Sequence, residues 1–365
     1  MRALWNKTKK WLNTNNHLLW VSIIALIVLG LIGVYFIGPY EMARGGWEKA
    51  WGTNSLFNRF WKTMLIGIIV LFAFSKLSKK WVVRLSWILG IFAFLLMVST
   101  MVWPHYIAGS SRFVSLGILF LDPFAMMLPP YIVLMSHWLS KDKPNKAWTT
   151  IGTATLTLFI ILAAIHAPYI FMAQVYLLMF LIMTFKARKN VPGPFYVGIG
   201  ILIGFVAIIG LAMWHFPHVQ YRIMNISGNY ATQMSLHAMT SSALVGNTAE
   251  SLTALSRLPG STTDFAFTSM IAKFGMLMGL LILALYGCVA KGLTDTIRNT
   301  KDKFKKMLST GTLGLFAIYI IMALLVAFGM LATAAYWPFI GYGSMMFWTW
   351  CILFGFVLAL NRKVK

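Results

Sequence analysis

Acidic residues are scarce in this chain: eight of 365, against 31 lysines and arginines, for a formal net charge of +23. General acid–base chemistry therefore has few places to sit, and each carboxylate is a candidate. Cysteine is scarcer still. Cys288 and Cys351 both fall in apolar runs, which excludes a disulfide framework or a cysteine metal site. The seven histidines are scattered, with no pair at metal-ligand spacing on a helix, so no transition metal is expected. Charge of either sign makes up only 11% of the chain, whereas 59% is hydrophobic. With a mean hydropathy of +0.76 over 41.1 kDa, a soluble fold could not hide the apolar surface. The composition is that of an all-α, polytopic integral membrane protein.

Ten apolar runs are long enough, or nearly so, to cross about 30 Å of hydrocarbon at 1.5 Å per residue. They are Leu18–Ile37, Trp61–Phe74, Leu85–Trp103, Val114–Trp138, Trp148–Ile165, Tyr169–Phe185, Phe195–Trp214, Phe265–Ala290, Leu313–Tyr336 and Tyr342–Leu360. The first run is too long for a signal-peptide core and lacks a small-residue cleavage pattern, so it reads as a spanning helix. The basic residues gather in alternate gaps: Arg2 to Lys10, Lys76 to Arg84, Lys141 to Lys146, Lys186 to Lys189, Lys291 to Lys306, and Arg362 to Lys365. The positive-inside rule puts all six clusters on the cytoplasmic side, with both termini inside, as an even number of spans requires. The excess charge is then a topology signal and an attraction to anionic lipid, and no nucleic-acid partner is expected.

One membrane domain is expected over residues 1–365, with a basic cytoplasmic N-terminus (1–17), a basic tail (361–365) and a large outer loop (215–263) between helices 7 and 8. Loops of that length are usually functional. Within it, Tyr230–Leu255 lacks proline and reads as one amphipathic helix at the outer face.

Asp264 stands where this loop runs into the eighth apolar segment. A carboxylate kept at a bilayer boundary suits a general base with a raised pKa. The bland alternative is a helix N-cap formed by Thr263 or Asp264. Arg112, after Gly109-Ser110-Ser111, and Arg222, in Tyr221-Arg222-Ile223, are outward arginines. Each is suited either to forking onto phosphate or to touching lipid headgroups. Asp122 reads as lying inside the fourth span, beside Pro123, Pro129 and Pro130. It is either functional or a local partner for a nearby arginine or lysine. Lys273 either pairs with Asp264 or Asp122 or snorkels, and Gly275-xxx-Gly279 reads as a close helix contact.

In order along the chain, these segments resemble the motifs of the SEDS proteins, the FtsW/RodA/SpoVE family of ten-helix peptidoglycan glycosyltransferases. Gly109 to Phe113 with Leu116-Gly117 is similar to G-x-x-R-W…L-G, and Asp122 to Pro129 lies where the family has Q-P-S-E-x-x-K. Tyr221-Arg222-Ile223 is similar to the aromatic/Arg motif after helix 7. Leu258-Pro259-Gly260-Ser261-Thr262-Thr263-Asp264-Phe265 keeps the spacing of L-P-E-x-H-T-D-F, and Pro338 to Gly343 is similar to P-F-I-S-Y-G. The resemblance implies that Asp264 is the catalytic base and that Arg112, Arg222, Tyr221 and Asp122 bind substrate. The substrate implied is lipid II, the undecaprenyl-pyrophosphate-linked disaccharide, with a divalent cation (Mg or Mn) as a possible helper. It also implies a class B penicillin-binding protein and other divisome or elongasome membrane proteins as partners, in the bacterial inner membrane. Met127-Leu128-Pro129 and the Leu358-Ala359-Leu360 ending look more like FtsW than RodA.

The chain departs from the pattern at Ala125 and Leu128 (for Glu and Lys), at Gly260 and Thr262 (for Glu and His), and at Ala272 and Lys273 (for a Glu pair). Those losses leave a second expectation: a catalytically impaired scaffold or lipid-carrier transporter. An ion-coupled transporter ranks last, because paired broken helices are not evident.

Overall fold

The computed structural model describes residues 17–45, 54–103, 111–116, 119–141, 145–215, 229–331 and 335–361. In chain order these form α1 (His17–Arg44), α2 (Ser55–Phe74), α3 (Lys79–Val102), β1 (Val114–Leu116), β2 (Leu119–Leu121), α4 (Pro123–Leu139), α5 (Lys146–His166) and α6 (Ile170–Ala187). There follow α7 (Gly193–His215), α8 (Tyr230–Thr240), α9 (Ala249–Arg257), α10 (Ala266–Phe274), α11 (Met276–Asn299), α12 (Lys303–Ala327) and α13 (Ser344–Asn361). Among the described residues, eight helices are long and apolar enough to cross a membrane: α1, α2, α3, α5, α6, α11, α12 and α13. The apolar α7 and the 17-residue α4, which carries no Asp, Glu, Lys or Arg, bring the long apolar helices to ten. The protein is thus a polytopic, all-α membrane protein.

α4 lies at the centre of the bundle, against α3, α12 and α13, and all of it but Met126, His137 and Trp138 is buried. A helix so placed can be apolar all round. Pro129 removes the N–H that the Ala125 carbonyl would take within the helix. Thr349 of α13 donates its hydroxyl to that carbonyl instead, at 2.9 Å, and the helix continues. On the periphery, α3 presents Trp87, Ile88, Ile91 and Leu95 outward, the apolar exterior that lipid tails require.

The turns after α2 and α11 meet at one end of the bundle, where Lys79 Nζ sits 3.0 Å from Asp302. The α4 end joins them there, His137 lying edge-on to Phe304. Basic connections that sequence alone places on a common side are therefore neighbours in space.

Four expectations need correction. The fourth apolar run is not one helix: Val114–Leu116 and Leu119–Leu121 pair as antiparallel strands, and α4 starts only at Pro123. Asp122 is its N-cap, outside the helix. The eighth run breaks at Gly275, whose φ of +95° suits glycine. An added Cβ there would stand 2.7 Å from the Leu244 carbonyl oxygen, so Gly275 is a turn and not half of a helix-packing pair. Tyr230–Leu255 is two helices, because residues 241–248 leave the helix to hydrogen-bond the start of α11, with Met276 N donating to Ala243 O and Leu277 N to Leu244 O. The ninth run ends as helix at Ala327, while α12 begins upstream at Lys303, capped by Asp302.

Beyond α12, Ala335, Trp337, Phe339 and Ile340 are irregular yet buried. Such backbone is tolerated at membrane depth only when protein surrounds it. α1 provides the room: a Cβ on Gly30 would lie 2.5 Å from the Phe339 carbonyl oxygen.

Candidate active site

The end opposite the Lys79–Asp302 pair is built around the loop 258–265, which joins α9 to α10. Gly260, at φ +66°, lets the chain fold back, so that Thr263 N and Phe265 N both donate to its carbonyl at 3.0 Å. Two walls hold the loop. From the irregular segment after α12, Trp337 Nε1 donates to the Asp264 carbonyl oxygen at 3.0 Å, and Tyr342 N donates to Thr262 O at 2.7 Å. Trp337 is itself fixed, stacked on Phe267 at 4.7 Å between ring centres. From α1, Arg44 donates to the Leu258 carbonyl. Glu41 Oε2 accepts from Ser261 Oγ (3.1 Å), Thr262 N (2.8 Å) and Thr262 Oγ1 (2.6 Å).

Asp264 is not a cap. The N-cap of α10 is Phe265, which makes no side-chain bond, so the bland reading of Asp264 fails. Its half-buried carboxylate instead accepts from the Ala335 backbone N–H and faces the Arg112 guanidinium. It sits in the loop, outside the spanning helices. Burial pushes its pKa up to about 7, Arg112 and the Ala335 N–H pull it down, and the Glu41 charge pushes it further up. Near neutrality such a group exchanges protons readily, as a general base must.

Arg112 reaches the site through the hairpin. Pairing of Val114 with Leu121 closes the loop and brings the residues before β1 alongside Asp122 after β2. Asp122 is buried and accepts from Phe124 N (3.0 Å) and Ala125 N (3.1 Å) while lying in the field of Arg112. The Arg112 guanidinium stacks over Tyr169, 4.4 Å from its ring centre, and Tyr169 lies in the field of both Arg112 and Asp122. Among the described residues Arg112 Nε finds no acceptor. A guanidinium held flat against an aromatic ring, with that shielded donor unused, is suited to an anionic ligand.

The structure thus brings Asp264, Arg112 and Asp122 into one another's field. Tyr221 and Arg222 lie outside the described residues. Lys273 joins neither acid; its Nζ contacts Tyr40 Oη at 3.1 Å. Sequence reading missed Glu41 and Tyr169. Glu41 carries a signal in being one of the eight acids, just past Pro39 at the end of the first span, but nothing local ties it to a loop 220 residues away. Among the described residues no three His, Cys, Asp or Glu side chains cluster as metal ligands. A divalent cation beside Asp264 would take most of its ligands from substrate phosphates.

Comparison with known proteins gives the family. The FtsW/RodA/SpoVE cell cycle protein family matches residues 16–365, nearly the whole chain, and the chain belongs to it. Over 107 residues it is 23% identical to the peptidoglycan glycosyltransferase RodA of Treponema pallidum (strain Nichols), an alignment covering 29% of this chain and 25% of that protein. Two solved structures share the fold. One, of a peptidoglycan synthase complex that coordinates polymerization and crosslinking, has a TM-score of 0.75 at 19% identity, covering 94% of this chain and 96% of that one. The other is the rod shape determining protein RodA of Thermus thermophilus, with a TM-score of 0.69 at 18% identity and coverage of 94% and 95%.

Proposed function

We propose that this protein is a peptidoglycan glycosyltransferase that polymerises lipid II at the outer face of a bacterial inner membrane. The observation that carries the reading is Asp264: a half-buried carboxylate with no capping duty, in the field of an arginine whose Nε finds no acceptor among the described residues. Asp264 takes the proton from the 4-hydroxyl of the acceptor sugar. The oxygen attacks the anomeric carbon of the chain carried on lipid diphosphate, forming the glycosidic bond. The bond from that carbon to the diphosphate oxygen breaks, and its electron pair leaves with the diphosphate. Arg112 meets the charge as it develops, and Asp122 and Tyr169 hold the guanidinium in place. Arg222 and Tyr221 would serve as further substrate-binding residues. A general base is typically worth ~10²–10⁴-fold, so stabilising the leaving group must supply much of the rest.

Family membership supports the reaction class. The fold of a synthase complex supports a class B penicillin-binding protein as partner. The basic end would face the cytoplasm. The polymer would be made during cell division or wider cell-wall synthesis; the division-type look of Met127 to Pro129 and of Leu358 to Leu360 favours the septum, and a fluorescent fusion spread along the side wall instead of concentrated at mid-cell would refute that.

The test is polymerisation of lipid II by the purified protein with its partner. Glycan strands from wild type that vanish with Asp264→Asn support the reading. No strands from wild type, or equal strands from the mutant, refute it. One observation favours a catalytically impaired scaffold instead: Ala125 and Leu128 are fully buried in apolar packing, where the family has a charged pair. The same assay decides between the two.

A further inference from the structure

The loop that carries Asp264 has glycine at 260, where the family pattern has an acid, and the backbone there disfavours any side chain. Gly260 is at φ +66°, and an added Cβ would stand 3.1 Å from Thr263 Oγ1. A carboxylate reaches the loop nonetheless, from α1. Glu41 Oε2 takes three hydrogen bonds from Ser261 and Thr262, while its Oε1 lies 3.1 Å from Arg44 Nη2. Arg44 in turn holds the Leu258 carbonyl. One helix turn of α1 therefore grips both ends of the segment 258–262, with an ion pair joining the two grips. Hydrogen bonds to an ionised group are roughly twice as strong as neutral ones, and Glu41 is mostly shielded from water.

We infer that Glu41 is a positioning residue for the proposed reaction: it clamps the 258–262 loop so that the Asp264 carboxylate stays beside Arg112. Glu41 also acts on Asp264 through space. The ionisable groups facing Asp264 are Arg112 before β1, with Asp122 and Tyr169 behind it, and Glu41 on α1, which Arg44 partners. Tyr342, beside the loop, feels both Glu41 and Arg59 of α2. In this set Glu41 is the group whose negative charge makes Asp264 a stronger base. The clamp and the charge are separable. Glu41→Gln keeps the shape and an acceptor oxygen but loses the charge, whereas Glu41→Ala loses both.

The inference rests on Asp264 acting as base, so the experiment has two arms. In the first, strand formation from lipid II is followed against pH. Glu41→Gln should move the acid limb of the rate to lower pH. Glu41→Ala should in addition cut the maximal rate about 10²-fold, the cost of roughly 1 Å of misplacement. In the second, backbone hydrogen exchange is measured on the whole protein in detergent or nanodiscs. Glu41→Ala should speed exchange at Thr262 and its neighbours by tenfold or more, while α4 stays protected. If wild type makes no glycan, the proposed function falls, and the exchange arm still decides whether Glu41 holds the loop. A wild-type pH profile in Glu41→Gln, or unchanged exchange over 258–264 in Glu41→Ala, overturns the inference. Should Glu41→Ala fail to fold, Glu41→Gln and Glu41→Asp carry both arms, and Asp, one methylene shorter, should restore the position of the limb that Gln shifts.

Discussion

Asp302 and Asp122 do the same local work at opposite ends of the bundle. Each precedes a long helix, and each accepts from the backbone N–H groups two and three residues on, at distances between 2.8 and 3.2 Å. Each also feels a cation: Lys79 contacts Asp302 at 3.0 Å, and Arg112 acts on Asp122 through its field. Their surroundings differ. Lys79 and Asp302 are about half exposed. Burial at Asp302 pushes its pKa up, but bonds from Lys79 and the capping amides outweigh this, so its pKa lies below the ordinary carboxylate value. Arg112 acts on both Asp122 and Asp264, lies against an aromatic face, and among the described residues keeps its Nε donor unused. In water-rich surroundings a carboxylate–cation pair is a local fastening, whereas in a low-dielectric recess the same groups carry fields strong enough to shift protons and bind anions. The chemistry is set by where the pair is placed.

The sharpest way to break this contrast is to neutralise one acid at each end. Asp264→Asn should lower glycan polymerisation by about 10²–10⁴-fold, the range for loss of a general base, with the fold intact by circular dichroism. Asp302→Asn should leave the rate within about twofold, since asparagine caps a helix as well as aspartate does. Equal losses from the two would show that the recess is not special. Wild-type activity should also rise with pH through about 7, the value to which burial lifts Asp264, because the base must be unprotonated.

Second in size is Arg112. Arg112→Lys keeps the charge but loses the planar guanidinium that stacks on Tyr169. A fall of roughly 10²–10³ in kcat is expected, the scale for removing one donor to a developing anion. Lys79→Arg, its counterpart at the exposed end, should change nothing measurable. A near wild-type rate in Arg112→Lys would mean that the guanidinium geometry is unused.

Most of the bundle was legible because a spanning helix must satisfy its backbone internally and show apolar side chains to lipid, and both demands leave long uncharged runs. What was not legible is informative. The paired strands Val114–Leu116 and Leu119–Leu121 hide in an apolar run, since composition does not separate a short apolar strand from a helix. The clue was Asp122-Pro123, an N-cap followed by a proline at the first helical position. The break at Gly275 looked like helix packing because glycine serves both roles, and only its φ decides. Asp264 and Arg112 were visible as rare charges beside apolar segments. Glu41 was equally rare, but its meaning lies in bonds to Ser261 and Thr262, a contact at a sequence distance that no local pattern encodes.

The third prediction separates the two ends by stability. Asp264 holds its proton more tightly when folded, near pH 7, than when unfolded, near the ordinary value of about 3.9. A raised folded pKa favours the fold fully below the unfolded value, and that contribution is lost as pH climbs through about 7. An asparagine side chain has no proton to lose, so Asp264→Asn should melt higher than wild type at pH 8 and alike at pH 4, in the same detergent. At Asp302 the sign reverses: with the folded pKa depressed, its contribution is present above about 3.9 and fades as pH falls through the folded value. A double-mutant cycle on Lys79 and Asp302, read by thermal melts at neutral pH, should give a coupling of about 1 kcal/mol or less that shrinks in high salt. A coupling of several kcal/mol there would mean that the exposed end is drier than its geometry implies. A melting curve for Asp264→Asn that tracks wild type from pH 4 to 8 would mean that Asp264 is ionised at no cost, in a recess wetter than its burial implies.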